Sequence, residues 1–449
     1  MRLCVHSLKW VFVVALCLIG KSVLAINLMQ AYELALQNDP TYRSATKDYE
    51  AGLENNPIGR SAILPKVGAS YNQNTNKATQ WGAQYTGGPN VATNWAYPSN
   101  YSYVQLTQPI FSMDAFARWK QGIAQADFSQ ARYLFNTQDL LIRVMQAYVD
   151  LLYSIDQLHF QESERDAFLE QSRVTKHLNQ KGEASITDAL ESEAAFEVSE
   201  AKVIDAKDAI ENAKRKLEGI IGQSIDDPAT VSKLIGNFAF INFGADGFEN
   251  WKDKALANNA ELNAAIKNIE IAKQEYRKNQ AAHYPVVNVI GAVSTQTSNT
   301  ATTINQTFNQ NYVGIQVNVP LYSGGETNSR TNQAYANYEK AQADFDVTRE
   351  KVITELRKQY DAVRSGRQKI QALTAAQNSG ELLVKAMRKS VQKGERINVD
   401  VLLAEKGLFS TRRDLAQVKY NYLLSYLKLS QLGGVLEVED FEKVASYFK

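Results

Sequence analysis

The chain repeats itself. Sliding residues 35–67 forward by 220 positions lays ALQNDP on ALANNA, Glu50 on Glu270 and Leu64-Pro65 on Tyr284-Pro285 without a gap. QPIFS around Pro109 falls on VPLYS around Pro320, and the tripeptide Lys181, Gly182, Glu183 recurs as Lys393, Gly394, Glu395. A unit of roughly two hundred residues is duplicated, so fold and function must both accommodate a two-fold internal repeat. We assign 26–222 and 251–434 to the repeats, 223–250 to a linker and 435–449 to a C-terminal equatorial segment.

Residues 1–25 carry Arg2 and Lys9, then an apolar run from Trp10 to Ile19, then small residues up to Ala25, which reads as an export signal. Both cysteines, Cys4 and Cys17, lie in it, so the mature chain is expected to have no disulfide and no lipid anchor. Its loss takes three basic residues and no acidic ones, leaving 46 Lys+Arg against 48 Asp+Glu. That balance offers no electrostatic case for nucleic acid. No later segment has the eighteen consecutive apolar residues of a spanning helix, so entry into a bilayer would require β-strands.

All nine prolines fall outside 110–227 and 321–449, and these tracts are rich in Ala, Gln, Glu and Lys. They read as long helices. Val401, Ala404, Leu408, Thr411, Leu415, Val418, Tyr422, Ser425, Leu429 and Leu432 alternate spacings of three and four, a coiled-coil stripe. Moving back 212 positions gives the same stripe from Ala189 to Ile220. A helix from Asp114 to Gln180 would be about 100 Å long, which predicts an elongated molecule.

Strand patterns lie between the helices. Val313, Ile315, Val317 and Val319 alternate with small or polar residues, and Val287, Val289 and Val293 form the partner run. The expected strands are about 286–295 and 312–321, with first-half counterparts at about 66–74 and 101–111. Residues 72–100 and 294–311 read as solvated loops, and Trp95, Tyr97, Tyr101 and Tyr103 as anchors at the lipid headgroups. Apolar and polar faces suit a membrane barrel wall. Four strands cannot close a barrel, so several copies must pool theirs: two copies give eight strands, three give twelve, and only the latter leaves much lumen.

At this point the motifs NLMQAYELALQNDP, LPKVGASY, QLTQPIFSM, VPLYSGGETNS and INVDVLLAEKGLFSTRRDLAQVKYNYLLSYLKL resemble the TolC-type outer-membrane export ducts of Gram-negative bacteria, in order and spacing over the mature chain. The resemblance implies a mostly α-helical homotrimer sharing one twelve-stranded β-barrel in outer-membrane lipid. It also implies a helical tunnel across the periplasm, closed at its inner end by an iris of coiled coils. Its implied partners are a periplasmic adaptor protein and an inner-membrane RND or ABC transporter.

By the same resemblance the iris is held by Arg396 on one coiled coil and the pair Thr187 and Asp188 on another, with Asp400 as an acidic ring. The tips Lys181, Gly182, Glu183 and Lys393, Gly394, Glu395 would dock the adaptor. Two positions depart from the family pattern: Leu403 replaces a second ring carboxylate, and Val391 replaces a tyrosine of the lock. A weaker cation block and a looser latch are expected, and the KGE tips put recognition of other systems' adaptors in doubt.

Read alone, Asp188 and Asp400 are helix-first-turn carboxylates near capping residues Ser185 and Asn398, and Arg396 is a solvated charge. His159, His177 and His283 are isolated, which predicts no metal, and no constellation argues for a cofactor or an enzyme. The competing function is a passive outer-membrane scaffold or adhesin whose long polar loops do the work.

Overall fold

The computed structural model describes residues 26–83, 85–235, 238–241 and 247–448, apart from the side chain of Asn398. The expected export signal and part of the expected linker lie outside the described residues. Among the described residues the chain is mostly helical with one four-stranded antiparallel sheet. It divides into two compact units, each drawing on both repeats: one from residues up to 45, 135–259 and 351 onward, the other from 46–134 and 260–350.

The first unit holds α1 (Leu28–Asn38), the later part of α4 (Met113–Gln180), α5 (Ile186–Ile221), α6 (Phe248–Asn258), the later part of α8 (Glu326–Gln392), α9 (Asn398–Leu432) and α10 (Val438–Ala445). The periodicity read from the sequence sets its packing. Ala189, Ser192, Ser199, Val203, Ala206, Ile210, Ala213 and Leu217 of α5 are buried, as are Val401, Leu408, Leu415, Tyr422 and Leu429 of α9. The core joins Leu28, Tyr148, Leu217, Ile221, Trp251, Tyr422 and Phe441.

The duplicated ALQNDP and ALANNA segments act as paired joints here. Asp39 ends α1 and starts α2 (Pro40–Leu53): its backbone N–H donates to Ala35 O, and its carboxylate accepts from Tyr42 N at 2.6 Å, with Pro40 at the first helical position. Asn38 Nδ2 donates to Ile221 O at 2.9 Å, tying this joint to the end of α5. In the second repeat Asn259 Nδ2 donates to Leu432 O at 2.9 Å, tying the α6 joint to the end of α9.

The second unit carries α3 (Asn55–Arg60), the sheet, α7 (Ala260–Ala281) and the first parts of α4 and α8. The strands β1 (Lys66–Ala83), β2 (Asn90–Phe111), β3 (Val286–Thr297) and β4 (Thr307–Asn318) pair in that order. Neighbouring side chains alternate between faces, so the register assigns them. Val67, Leu106, Gly291 and Val313 line up across the sheet, with Val104, Val293, Ile315 and Val317 on the same face. These apolar side chains are 40–83% exposed. The other face carries Gln105, Asn288, Gln316 and Tyr312.

Two expectations are corrected. Residues 72–100 are not a solvated loop, because β1 and β2 pair continuously from Lys66↔Thr107 to Ala83↔Asn90. β3 reaches only Asn100↔Thr297, so the outer pairs, Asn74↔Ser99 onward, form a two-stranded ribbon beyond the other hairpin. Residues 294–311 likewise contribute to β3 and β4, leaving a connection at 298–306 that holds the 3-10 turn Ala301–Thr303. The Asn and Thr that made these segments look like loops satisfy each other across the ribbon, as in Asn76 Nδ2 to Ser99 Oγ at 2.8 Å and Thr79 Oγ1 to Asn94 Oδ1 at 2.8 Å. Second, Trp95, Tyr97, Tyr101 and Tyr103 share the face opposite Val67 and Val313, and the first two stand in the ribbon. They are not on the apolar side. Tyr71 and Trp81 are, at 64% and 71% exposed.

Candidate gate and docking tips

Both KGE tripeptides form the same turn, for a local reason. A helix end leaves unpaired carbonyls, and a residue with positive φ curls the chain back so that following N–H groups reach them. Gly182 (φ 77°) and Gly394 (φ 75°) supply that conformation without a Cβ penalty. Glu183 N donates to Leu178 O at 2.9 Å and Gly182 N to Asn179 O at 2.9 Å; Glu395 N donates to Ser390 O at 3.0 Å and Gly394 N to Val391 O at 3.0 Å. Lys181, Glu183, Lys393 and Glu395 are left exposed where α4 turns into α5 and α8 into α9.

The two turns differ in what braces them. In the first, Asn179 Nδ2 closes the loop by donating to Ala184 O at 2.9 Å. The repeat places Val391 at the equivalent position, with no polar group to do the same.

Beyond the first turn, Ser185 caps α5 reciprocally: Asp188 N donates to Ser185 Oγ at 3.1 Å and Ser185 N to Asp188 Oδ2 at 3.3 Å. The Thr187 hydroxyl meets that of Ser185. Beyond the second turn Ile397 occupies the cap position of α9 with no side-chain bond, and the Asn398 side chain lies outside the described residues. Arg396 Nη1 lies 3.7 Å from Asp400 Oδ2, a half-exposed pair one helical turn apart. Within one chain, therefore, Arg396 meets Asp400, while Asp188 and Thr187 gather around Ser185.

A seam between α4 and α9 escaped the sequence reading. Tyr420 donates its hydroxyl to Asp156 Oδ2 at 3.1 Å, the Arg413 guanidinium lies 4.5 Å from the Phe160 ring centre, and Lys406 Nζ lies 4.7 Å from that of Phe168. Glu164, 6% exposed, is reached at the same oxygen by Lys406 at 3.1 Å and by Lys202 of α5 at 3.4 Å. Burial pushes the Asp156 carboxyl above the usual range, with the Tyr420 hydroxyl opposing it. The signal was present as a four-residue row, 156, 160, 164, 168, facing a seven-residue row, 406, 413, 420. Only the partner helix shows that the two rows meet.

Among the described residues no helix is long and apolar enough to cross a membrane, and no cluster of His, Cys, Asp and Glu could hold a metal ion. Exposed apolar strands and duplicated helical hairpins with polar tips define a class of protein built on a β-sheet with an uncovered apolar face. The chain belongs to the outer membrane efflux protein family, whose profile matches residues 31–223 and 251–435. It is 33% identical to the alkaline protease secretion protein AprF of Pseudomonas aeruginosa over 98% of this chain and 91% of the relative. It is 32% identical to the proteases secretion protein PrtF of Dickeya chrysanthemi, over 97% and 94%, and 27% identical to the outer membrane protein TolC of Escherichia coli, over 93% and 84%. Its fold matches the Campylobacter jejuni CmeC outer membrane channel with a TM-score of 0.76 at 16% identity, covering 94% and 90%. The protein is thus an outer-membrane protein and not an enzyme.

Proposed function

We propose that this protein is the outer-membrane exit duct of a type I secretion or tripartite efflux system. Three copies would pool twelve strands into one barrel, with the Val67–Val313 face toward lipid and the Gln105–Gln316 face toward the lumen. One observation carries the reading: a sheet of only four strands exposes a continuous apolar face, and its open edges are untenable in hydrocarbon until sister strands pair with them. The helical hairpins would continue the duct through the periplasm as coiled coils, ending at the KGE tips, where an adaptor and an inner-membrane RND or ABC transporter dock. The two relatives named for protease secretion favour a polypeptide cargo and weigh against a passive scaffold or adhesin.

In this reading three copies of Asp400 ring the entrance and attract cations. Arg396, held by Asp400 within the chain, would latch the iris by reaching Thr187 and Asp188 of a neighbouring coiled coil. Leu403 and Val391 leave that latch with one carboxylate ring and no tyrosine. The test is electrical. Purified protein in a planar bilayer should pass small cation-selective currents that rise for Arg396→Ala and lose cation preference for Asp400→Ala. Silence even from Arg396→Ala would overturn the duct.

A further inference from the structure

The two halves of the chain enter their long helices differently. A shift of 211 lays Pro109 on Pro320, so Phe116, Trp119 and Lys120 in the first turns of α4 correspond to Thr327, Arg330 and Thr331 of α8. In α8 the cation is taken up within the helix, with Arg330 Nε 2.7 Å from Glu326 Oε1. In α4 it is not. Lys120 Nζ stands 5.6 Å from the centre of the Phe116 ring and 5.5 Å from that of Trp119, and the two rings meet edge to face at 6.0 Å. Among the described residues Lys120 has no ion-pair partner.

The sheet fixes which way this cluster points. Asp114, Arg118, Gln121 and Gln125 of α4 line a cavity with Lys66 and Asn288. These last two belong to the polar face, where Lys66 pairs with Thr107 and Asn288 with Gln316. At about 100° per residue, Phe116, Trp119 and Lys120 stand on the other side of α4, the side of Val67 and Val313. The end of β2 continues the same surface: a register shift between Pro109 and Phe111 brings Phe111 opposite Val287, which pairs with Val317 on the apolar face. Phe111 and Phe116 are 45% and 47% exposed. Lys120 lies about 10 Å along the helix beyond the last strand residue, the depth of lipid headgroups rather than of hydrocarbon. The next carboxylate on this side, Asp127, is held by Lys267 at 2.7 Å, so the surface keeps its positive charge.

We propose that Phe116, Trp119 and Lys120 seat the headgroup of a phospholipid in the periplasm-facing leaflet. The Lys120 ammonium pairs with the lipid phosphate, the two rings lie at the level of the glycerol, and an acyl chain runs past Phe111 onto the Val287 and Val317 stripe. The rings position the ammonium without neutralising it, as a carboxylate would, and so leave it available to an anion. The seat rests on the barrel reading above and goes beyond it by assigning one leaflet, one headgroup chemistry and one site per chain, since α8 has no counterpart.

Native mass spectrometry of the intact detergent-extracted assembly with added phosphatidylglycerol should show one lipid retained per chain. Lys120→Ala should weaken retention about fivefold, the share of one lysine at a lipid surface. Lys120→Arg should keep it, and Thr331→Ala, at the repeated position, should behave as the parent. Phe116→Leu with Trp119→Leu should also weaken retention although the charge is intact, which a lysine acting alone would not produce. Equal retention by Lys120→Ala, or displacement of the lipid by inorganic phosphate at the same concentration, would overturn the seat and leave the barrel standing. A monomeric mass would overturn the barrel and the seat with it.

Discussion

Arg143 grips Asp39 with two parallel hydrogen bonds, Nη1 to Oδ2 at 2.8 Å and Nη2 to Oδ1 at 3.1 Å, while its Nε donates to Asp139 at 2.9 Å. Asp39 is 2% exposed. The second repeat solves the same joint without charge, with Asn259 at the equivalent position. Burial alone would raise the Asp39 pKa, but Arg143 and the Tyr42 and Thr41 amides outweigh it and hold the carboxyl below its usual range.

Arg143→Ala should therefore cost about 3–5 kcal/mol, because it strands a buried carboxylate. Asp39→Asn should cost distinctly less, since the fold already tolerates asparagine at the repeated site. Because Asp39 is more acidic folded than unfolded, its contribution is complete at neutral pH and is lost as pH falls below about 4. Denaturant melts at neutral and acidic pH should show the parent losing more stability on acidification than Asp39→Asn.

Tyr420→Phe removes the hydroxyl that donates to Asp156 and should cost about 1–3 kcal/mol near pH 7. Burial holds Asp156 above its usual pKa, so by itself its protonation on acidification favours the folded state, opposite to Asp39. The Tyr420 hydroxyl favours the charged carboxylate, so the loss on Tyr420→Phe should shrink as pH falls and the carboxyl protonates. A cost independent of pH would show that packing, not the carboxylate, is what the hydroxyl supports.

Two glycines with positive φ should respond unequally to alanine. Gly394→Ala puts its Cβ in open space, so only backbone strain of about 1 kcal/mol is expected, confined to the tip. Gly434→Ala puts its Cβ 2.4 Å from the backbone of Asn258, so the joint between α6 and α9 must shift and the loss should be larger. Thermal unfolding of the two variants makes the comparison.

Ile315→Lys and Gln316→Lys are adjacent in β4 but on opposite faces. If the apolar face meets lipid, the first should lose about 2–4 kcal/mol in vesicles and the second little. Equal losses would refute the assignment of faces.

Much of the helical architecture was legible beforehand. The stripe from Ala189 and its repeat from Val401 announced which residues would be buried, because a helix imposes its own period on neighbouring positions. The KGE turns were legible for the same reason: their hydrogen bonds close within a few residues and recur in a duplicate. The ribbon from Asn74 to Ser99 was not. Its Asn and Thr residues have loop propensity alone and strand character only when a partner strand answers them.

The amino-acid order by itself determined the duplication, the long helices, the glycine turns and the shortage of strands that forces copies to combine. Only the tertiary structure decided that Tyr101 and Tyr103 lie opposite the apolar face, and that Asp156, Phe160 and Glu164 meet Tyr420, Arg413 and Lys406. The reason is one of range. Periodicity and turn chemistry act between residues a few positions apart, whereas strand register and helix seams join residues up to some 260 positions apart, and no local rule counts across that distance.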